Sequence, residues 1–481
     1  MGKSRLVILA VFIIKYLAYN GLLNAQSYKL VPVANWDKYD EGSVNKTRYN
    51  SCWGYTDIDS SEYAIVGGQD SIIILNISQP SNIKRVSSIY SGTKGCNNRE
   101  FKTYAQFAFF SEDKCSNSAK FVIADLRDIS KNIVSYTVLP DSIVARVHTI
   151  HIYKNYMYLI GAGRYIKDKN SGINVFEQLP LVIIDIANPL KYKVVQVYTQ
   201  ANFANIEEAH DIFMYKSFAF ISCGPDGLYI YDLKLTSSPK LIQHIDIYPD
   251  LGYNHSSFVD TIGGYLYFTE ETEGKRIKCY DINNILKGIN TDYSLVSLFG
   301  FRPENAGLTH NMFPITDSLL YTSNYLDGVV LWNIKNPEQP KLFANYDTYP
   351  ENDQFPNDDR YKNFNGVWNM YPYFNSNNVL AVDMTHGVFL FQLQKTNSIP
   401  ISTKKLNFTY TQTEAELLLN FDQKITLQVK NISIYTADGK LVIQTICNEN
   451  QAKVPLINLK SGVFIVIIQS GTKSSHLKII R

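Results

Sequence analysis

Gly227-Leu-Tyr-Ile-Tyr-Asp-Leu, closed by Pro239-Lys-Leu, decides the fold, because it returns as Gly328-Val-Val-Leu-Trp-Asn-Ile closed by Pro340-Lys-Leu. Leu181-Val-Ile-Ile-Asp-Ile-Ala-Asn-Pro is a third copy, and SIIILNISQP at 71–80 is a fourth. Each is an apolar strand, then Asp or Asn, then an apolar residue and a Pro-bearing turn. Segments 121–129, 276–282 and 387–393 are weaker copies. The seven copies start at intervals of roughly 45–60 residues, the period of propeller blades of about four strands each. A small sheet cannot bury its faces alone, whereas blades packed around an axis cover one another. The Asp or Asn suits a turn because its side chain bonds nearby backbone N–H groups, and the Pro stops the strand.

Working outward, aromatic-rich alternation precedes the strong copies at 153–160, 213–222, 264–269 and 319–323, the period-two signal of a half-buried strand. A β-helix would have a far shorter period, and a sandwich would not repeat one motif seven times. The expectation is an all-β chain: a β-propeller, with seven blades favoured over six or eight, over residues 26–393. Tyr (34) and Phe (25) are abundant, which favours strands. The 46 basic and 44 acidic residues nearly balance and give no reason to expect a nucleic-acid partner.

The two ends read differently. Lys3 and Arg5, an apolar run at 6–14 and Ala25 at the exit fit a signal peptide over 1–25; Lys15 interrupts the run and argues against a spanning helix. No later segment is long and apolar enough to span a membrane. Residues 394–404 (QKTNSIPISTK) read as a linker, with Pro400 among polar residues. Residues 405–481 hold short strands at 425–429, 432–435, 441–445, 463–468 and 477–480, with turn signals at Ala437-Asp-Gly-Lys and Lys460-Ser-Gly. They suit a small C-terminal β-sandwich.

Ile432-Ser-Ile-Tyr-Thr-Ala-Asp-Gly-Lys-Leu-Val, Leu456-Ile-Asn-Leu-Lys-Ser-Gly-Val-Phe-Ile-Val and the terminal Leu477-Lys-Ile-Ile-Arg resemble the sorting domain of the type IX secretion system of Bacteroidetes. The resemblance implies handling by that secretion machinery, passage through the periplasm and across the outer membrane, and attachment to the cell surface or release. The body resembles the LVIVD-repeat, choice-of-anchor B proteins. That resemblance runs through Trp53-Gly-Tyr-Thr-Asp, Arg99-Glu-Phe-Lys-Thr-Tyr, Ala209-His-Asp, Thr309-His-Asn-Met-Phe, Tyr321-Thr-Ser-Asn-Tyr and Phe364-Asn-Gly-Val-Trp-Asn-Met-Tyr-Pro. Two departures are visible: Asn98-Arg99 lacks a preceding Trp, and Asn76 and Asn333 replace the repeat's Asp. The resemblance implies architecture and location, and carries no activity.

Four of the eight histidines, His148, His210, His255 and His310, stand a similar distance before the aromatic-rich strands. If those strands are the innermost ones, the four line one mouth of a central channel, with Asp211, Asn311, Glu207, Glu208 and Asp57 as neighbours. Converging imidazoles bind transition metals, and a metal-bound water can serve as a hydrolytic nucleophile. The competing reading is a structural residue, repeated in register, that caps a strand and bonds the next blade. Glu351, Asp353, Asp358 and Asp359 share one loop that would suit calcium or solvent. Gly161-Ala-Gly-Arg lacks a nucleotide fingerprint and reads as a turn. Cys96 and Cys115 flank one strand-like segment and are candidates to pair; no pair has CxxC spacing. Three function classes stay open, in this order: a surface binding or scaffold protein for a protein or glycan ligand, a structural surface or biofilm component, and a metal-dependent extracellular enzyme.

Overall fold

The structure, a computed structural model, describes residues 28–38, 48–90, 95–96, 98–113, 115, 119–168, 171–203, 206, 208–260, 262–302, 307–350, 364–395, 408–421, 430–436, 441–470 and 473–481. The segment read as a signal peptide, the acidic loop with Glu351, Asp353, Asp358 and Asp359, residue Glu207, the strand expected at 425–429 and the turn expected at 437–440 lie outside the described residues. The chain divides into two compact units, one of them Tyr28–Lys395.

That unit is a seven-bladed propeller: seven four-stranded antiparallel sheets in sequence order. The first blade opens with Tyr49–Thr56, and the next five with Asn98–Tyr104, Thr149–Tyr153, Asp211–Tyr215, Asn254–Asp260 and Met312–Thr316. The seventh combines Val367–Tyr371, Asn378–Asp383 and Gly387–Lys395 with Tyr28–Trp36, which supplies its outermost strand. The ring is therefore closed by pairing the beginning of the unit with its end, Trp36 opposite Val388 and Tyr28 opposite Lys395. The last strand extends two residues into the stretch read as linker.

The seven sequence copies are the third strands of the seven blades. Leu228–Asp232 shows why they repeat so visibly. Leu228 and Ile230 face the fifth blade, Tyr229 and Tyr231 face the third, and all four are buried. A strand covered on both faces reads as an unbroken apolar run. Each of the seven apolar clusters of this unit draws on two neighbouring blades, so the core is a ring of interblade layers. The Asp or Asn that ends the run does what its chemistry suggests. Oδ1 of Asn76, Asp125, Asp185, Asp232, Asp281 and Asn333 accepts the backbone N–H two residues on, at 2.8–3.1 Å. The turn needs only an acceptor, so Asn serves as well as Asp.

The aromatic-rich strands are not innermost. They are the second strands, and the axis is lined by the opening strands, which pack against one another from blade to blade. The opening strands bring polar and apolar residues to the channel together, Lys102 and Asp211 beside Trp53 and Phe213, and share no repeating motif. Gly161-Ala-Gly-Arg is not a turn: it lies inside Tyr156–Lys167, a second strand that overshoots its blade and pairs with Asn174–Asp185.

The other unit, over its described C-terminal residues, is a β-sandwich. Phe408–Gln412, Glu416–Phe421 and Gln451–Pro455 form one sheet; Leu441–Cys447, Lys430–Thr436, Val463–Ser470 and Lys473–Ile480 form the other. Leu417, Leu419, Ile432, Ile434, Val454, Val466 and Ile468 fill the space between them. Three of these strands, Phe408–Gln412, Glu416–Phe421 and Gln451–Pro455, were not anticipated from sequence. No helix among the described residues is long and apolar enough to cross a membrane.

A histidine arc at the mouth of the propeller axis

The opening strands begin at one end of the channel, where the second strands finish. The backbone N–H groups of His148, His210 and His310 donate to the carbonyls of Ile160, Ser222 and Ser323, each on a second strand. This shared register places their side chains in equivalent positions on successive blades. His255 sits in an irregular stretch of its strand between Asn254 and Ser257 and joins the same row. Ring centroids are 4.1 Å apart for His148 and His210, 4.4 Å for His210 and His255, and 4.2 Å for His255 and His310. The four histidines expected to converge form a continuous arc across the third to sixth blades. It borders an axial cavity of about 200 Å³, which Asp211, Asn311, Thr149, Trp368 and Asn369 also line.

Three of the rings are oriented from behind. His148 Nδ1 is 2.7 Å from Asp113 Oδ2. His210 Nδ1 is 2.9 Å from the Tyr253 hydroxyl, which in turn donates to Glu208 Oε1 at 2.9 Å. His310 Nδ1 donates to the Trp368 carbonyl at 2.6 Å. Opposite His255 and His310 stands Glu271: Oε2 is 3.6 Å from His255 Nε2, and Oε1 is 3.7 Å from His310 Nε2. Tyr325 donates its hydroxyl proton to the same carboxylate. Burial holds His255 and His310 neutral, pushing both down to about 3. Burial likewise pushes His151 down to about 3 and the Asp211 carboxyl up to about 7.

Of the expected neighbours, Glu208 acts through Tyr253. Asp211 Oδ1 accepts its neighbour's N–H from Ile212 at 2.8 Å, and Asn311 Nδ2 donates to Asn369 Oδ1 at 3.4 Å. Asp57 is elsewhere: it lies past the far end of Tyr49–Thr56 and accepts the Tyr55 hydroxyl proton at 2.7 Å. The expectation that each histidine bonds the next blade describes the Nδ1 of His310 and the link from His210 to Tyr253, but not His148, which is tied back to the second blade by Asp113. Asp113, Glu271, Tyr253 and Tyr325 were missed from sequence. Two residues past Ser222, Thr269 and Ser323, at the same place in the repeat, stand Gly224, Glu271 and Tyr325. Cys96 and Cys115 are joined by a disulfide with Cα atoms 4.7 Å apart, and the other four cysteines are buried thiols.

Residues 413–481 match the family model described as a secretion system C-terminal sorting domain. No curated protein matches the chain. Solved structures similar to it include the Cps50 (Swd1) β-propeller domain of Myceliophteria thermophila, at 12% identity and TM-score 0.46, covering 72% of this chain and 97% of that one. Saccharomyces cerevisiae Sqt1 is similar at 11% identity and TM-score 0.48, over 76% of this chain and 99% of that one. PorZ, an essential surface component of the type-IX secretion system of Porphyromonas gingivalis, is similar at 11% identity and TM-score 0.45, over 92% of this chain and 60% of its own. The propeller assignment rests on the seven sheets themselves. The sorting domain marks the protein for export, to the cell surface or beyond it.

Proposed function

We propose that this protein is a secreted or surface-displayed binding protein of the LVIVD-repeat, choice-of-anchor B kind, and that its ligand site is the histidine-lined mouth of the propeller axis. On this reading a signal peptide starts export, the type IX machinery of a Bacteroidetes cell completes it, and the propeller is the cargo. One observation carries the choice of site. Polar side chains from consecutive blades converge, largely buried, on one axial cavity. Burying polar groups is costly unless they are matched, and a rigid ring of blades keeps them in place. Away from the axis, exposed aromatic side chains of the propeller are scattered, Tyr90 on the first blade, Tyr136 on the second and Phe176 on the third, while Phe364 packs on Tyr325 and Tyr373 lines the axial cavity. The scattered rings offer a macromolecule less than a contiguous apolar patch would.

The test is a thermal-shift panel on the purified exported protein, with amino acids, mono- and oligosaccharides and divalent metal ions as probes. Asn311→Trp, which fills the mouth, is measured in parallel. A probe class that raises the melting temperature of the parent and not of Asn311→Trp supports the reading. A panel that shifts neither protein, or both equally, overturns it.

A further inference from the structure

The hydrogen-bond network assigns the tautomers of the arc. Asp113 is a carboxylate and only accepts, so the proton of His148 is on Nδ1 and its Nε2 presents a lone pair. Tyr253 gives its proton to Glu208, so it accepts from Nδ1–H of His210, and the Nε2 of His210 is a lone pair too. Those two Nε2 atoms face each other at 3.2 Å. The Nδ1–H of His310 is spent on the Trp368 carbonyl, so its Nε2 also turns a lone pair toward Glu271. His255 is buried, its Nδ1 has no hydrogen-bond partner, and its Nε2 stands 3.6 Å from the Glu271 carboxylate, beyond hydrogen-bond reach. The Nε2 lone pairs of His148 and His210 therefore face each other, and that of His310 faces the Glu271 carboxylate, to which Tyr325 donates. In a buried site that arrangement calls for a positive charge.

We infer that this charge is a divalent transition-metal ion held by His210, His255 and Glu271, with His148 placed to add an imidazole beside His210. One ligand atom from each of the three lies within 4.8 Å of the others. Two ligands bonded at about 2.0–2.1 Å to a tetrahedral ion stand about 3.3–3.4 Å apart. Within this set, His255 Nε2 and Glu271 Oε2 stand 3.6 Å apart, and the Nε2 atoms of His148 and His210 3.2 Å apart, close to that value. Imidazole-rich sites favour zinc, copper, iron or nickel over calcium or magnesium, which take oxygen ligands. The acceptors behind His148, His210 and His310 form the outer shell that orients metal-binding histidines. His148, His210 and His255 border the axial cavity. The inference rests on the axial mouth being the ligand site and names the class of ligand.

The experiment uses the full exported chain, stripped with chelator and titrated with Zn²⁺ and then Co²⁺, with Ca²⁺ as a control. Stoichiometry is read by elemental analysis, and coordination by the visible Co²⁺ spectrum. One equivalent of Zn²⁺ or Co²⁺, a spectrum of nitrogen ligation, and no Ca²⁺ uptake are expected. His255→Asn and Glu271→Gln abolish stoichiometric binding, and Asp113→Asn, which alters the acceptor behind His148 and the carboxylate beside Arg146, weakens it about tenfold or more. Circular dichroism shows which variants are folded. Glu271→Gln is near-isosteric, and it keeps the comparison available if His255→Asn fails to fold. A folded parent that takes up no transition metal overturns the inference and leaves a shared proton between His148 and His210. So does a metal that folded Glu271→Gln and His255→Asn retain. If no metal binds while another probe still shifts the parent and not Asn311→Trp, the metal falls and the binding mouth stands. If the metal binds at the trio and Asn311→Trp leaves every probe's shift unchanged, the binding mouth falls and the metal site stands.

Discussion

The acceptor that closes each third strand shows how little a repeat position has to specify. Asp232 Oδ1 takes the Lys234 N–H at 2.8 Å, and Asn333 Oδ1 takes the Lys335 N–H at 3.0 Å. Asp232→Asn is therefore expected to leave stability within about 0.5 kcal/mol of the parent, and Asp232→Ala to cost about 1 kcal/mol, both read from denaturant midpoints. His151 makes a second prediction. It lies in the wall of the axial cavity, where Nε2 accepts the Met214 N–H at 3.3 Å, and burial pushes it down to about 3. Its folded value lies below its unfolded one, so the unfolded chain binds the extra proton as pH falls from about 6.5 towards 3, and folded stability declines over that window. His151→Gln should reduce the slope of stability against pH by up to about 1.4 kcal/mol per unit there. An unchanged slope on acid titration would show that the ring is not what titrates.

Among the elements, the closure strand and the overshooting hairpin depend most on single residues. Tyr28–Trp36 covers the edge of Gly387–Lys395, and an uncovered strand edge invites pairing with other chains. Gly387 has φ +88°, and a Cβ there would stand 2.6 Å from the Trp36 carbonyl, so the closure needs a glycine. Removing residues 28–36 should lower the melting temperature and produce association at high protein concentration, measured by scanning calorimetry and light scattering. A monomer that melts unchanged would mean the ring closes without this strand. In the third blade, Gly161 (φ +56°) would place a Cβ 2.8 Å from the Ala209 carbonyl and 2.9 Å from the His148 Cβ. Gly161→Ala is expected to destabilise by about 1–3 kcal/mol, through the left-handed backbone and the overpacking together.

For the whole molecule, export and the propeller are separable properties. The sandwich has its own core, with Leu417, Leu419, Ile432, Ile434, Val454, Val466 and Ile468 buried in it, and the sorting-domain match falls on it. Deleting residues 405–481 should leave a folded propeller in the periplasm, detected by cell fractionation and surface proteolysis. Normal display of the truncated chain would show that sorting depends on something else.

Period and composition were enough for the seven-fold repeat and the all-β class. Strands such as Leu228–Asp232, buried on both faces, leave an apolar run that survives in one dimension, and the Asp or Asn and Pro that follow mark where it stops. The row of four histidines was legible for the same reason, since each occupies the same register on its blade. The folded ring decided the rest. Which strand lines the axis depends on blade-to-blade packing, and the opening strands share no motif, Asp211–Tyr215 reading DIFMY and Asn98–Tyr104 reading NREFKTY. Tyr28–Trp36 finds its partner only when the circle closes. Asp113 and Glu271 are unremarkable carboxylates in sequence. They become partners of the histidines because neighbouring blades bring the ends of their second strands beside the starts of the innermost strands, a proximity that no local spacing encodes.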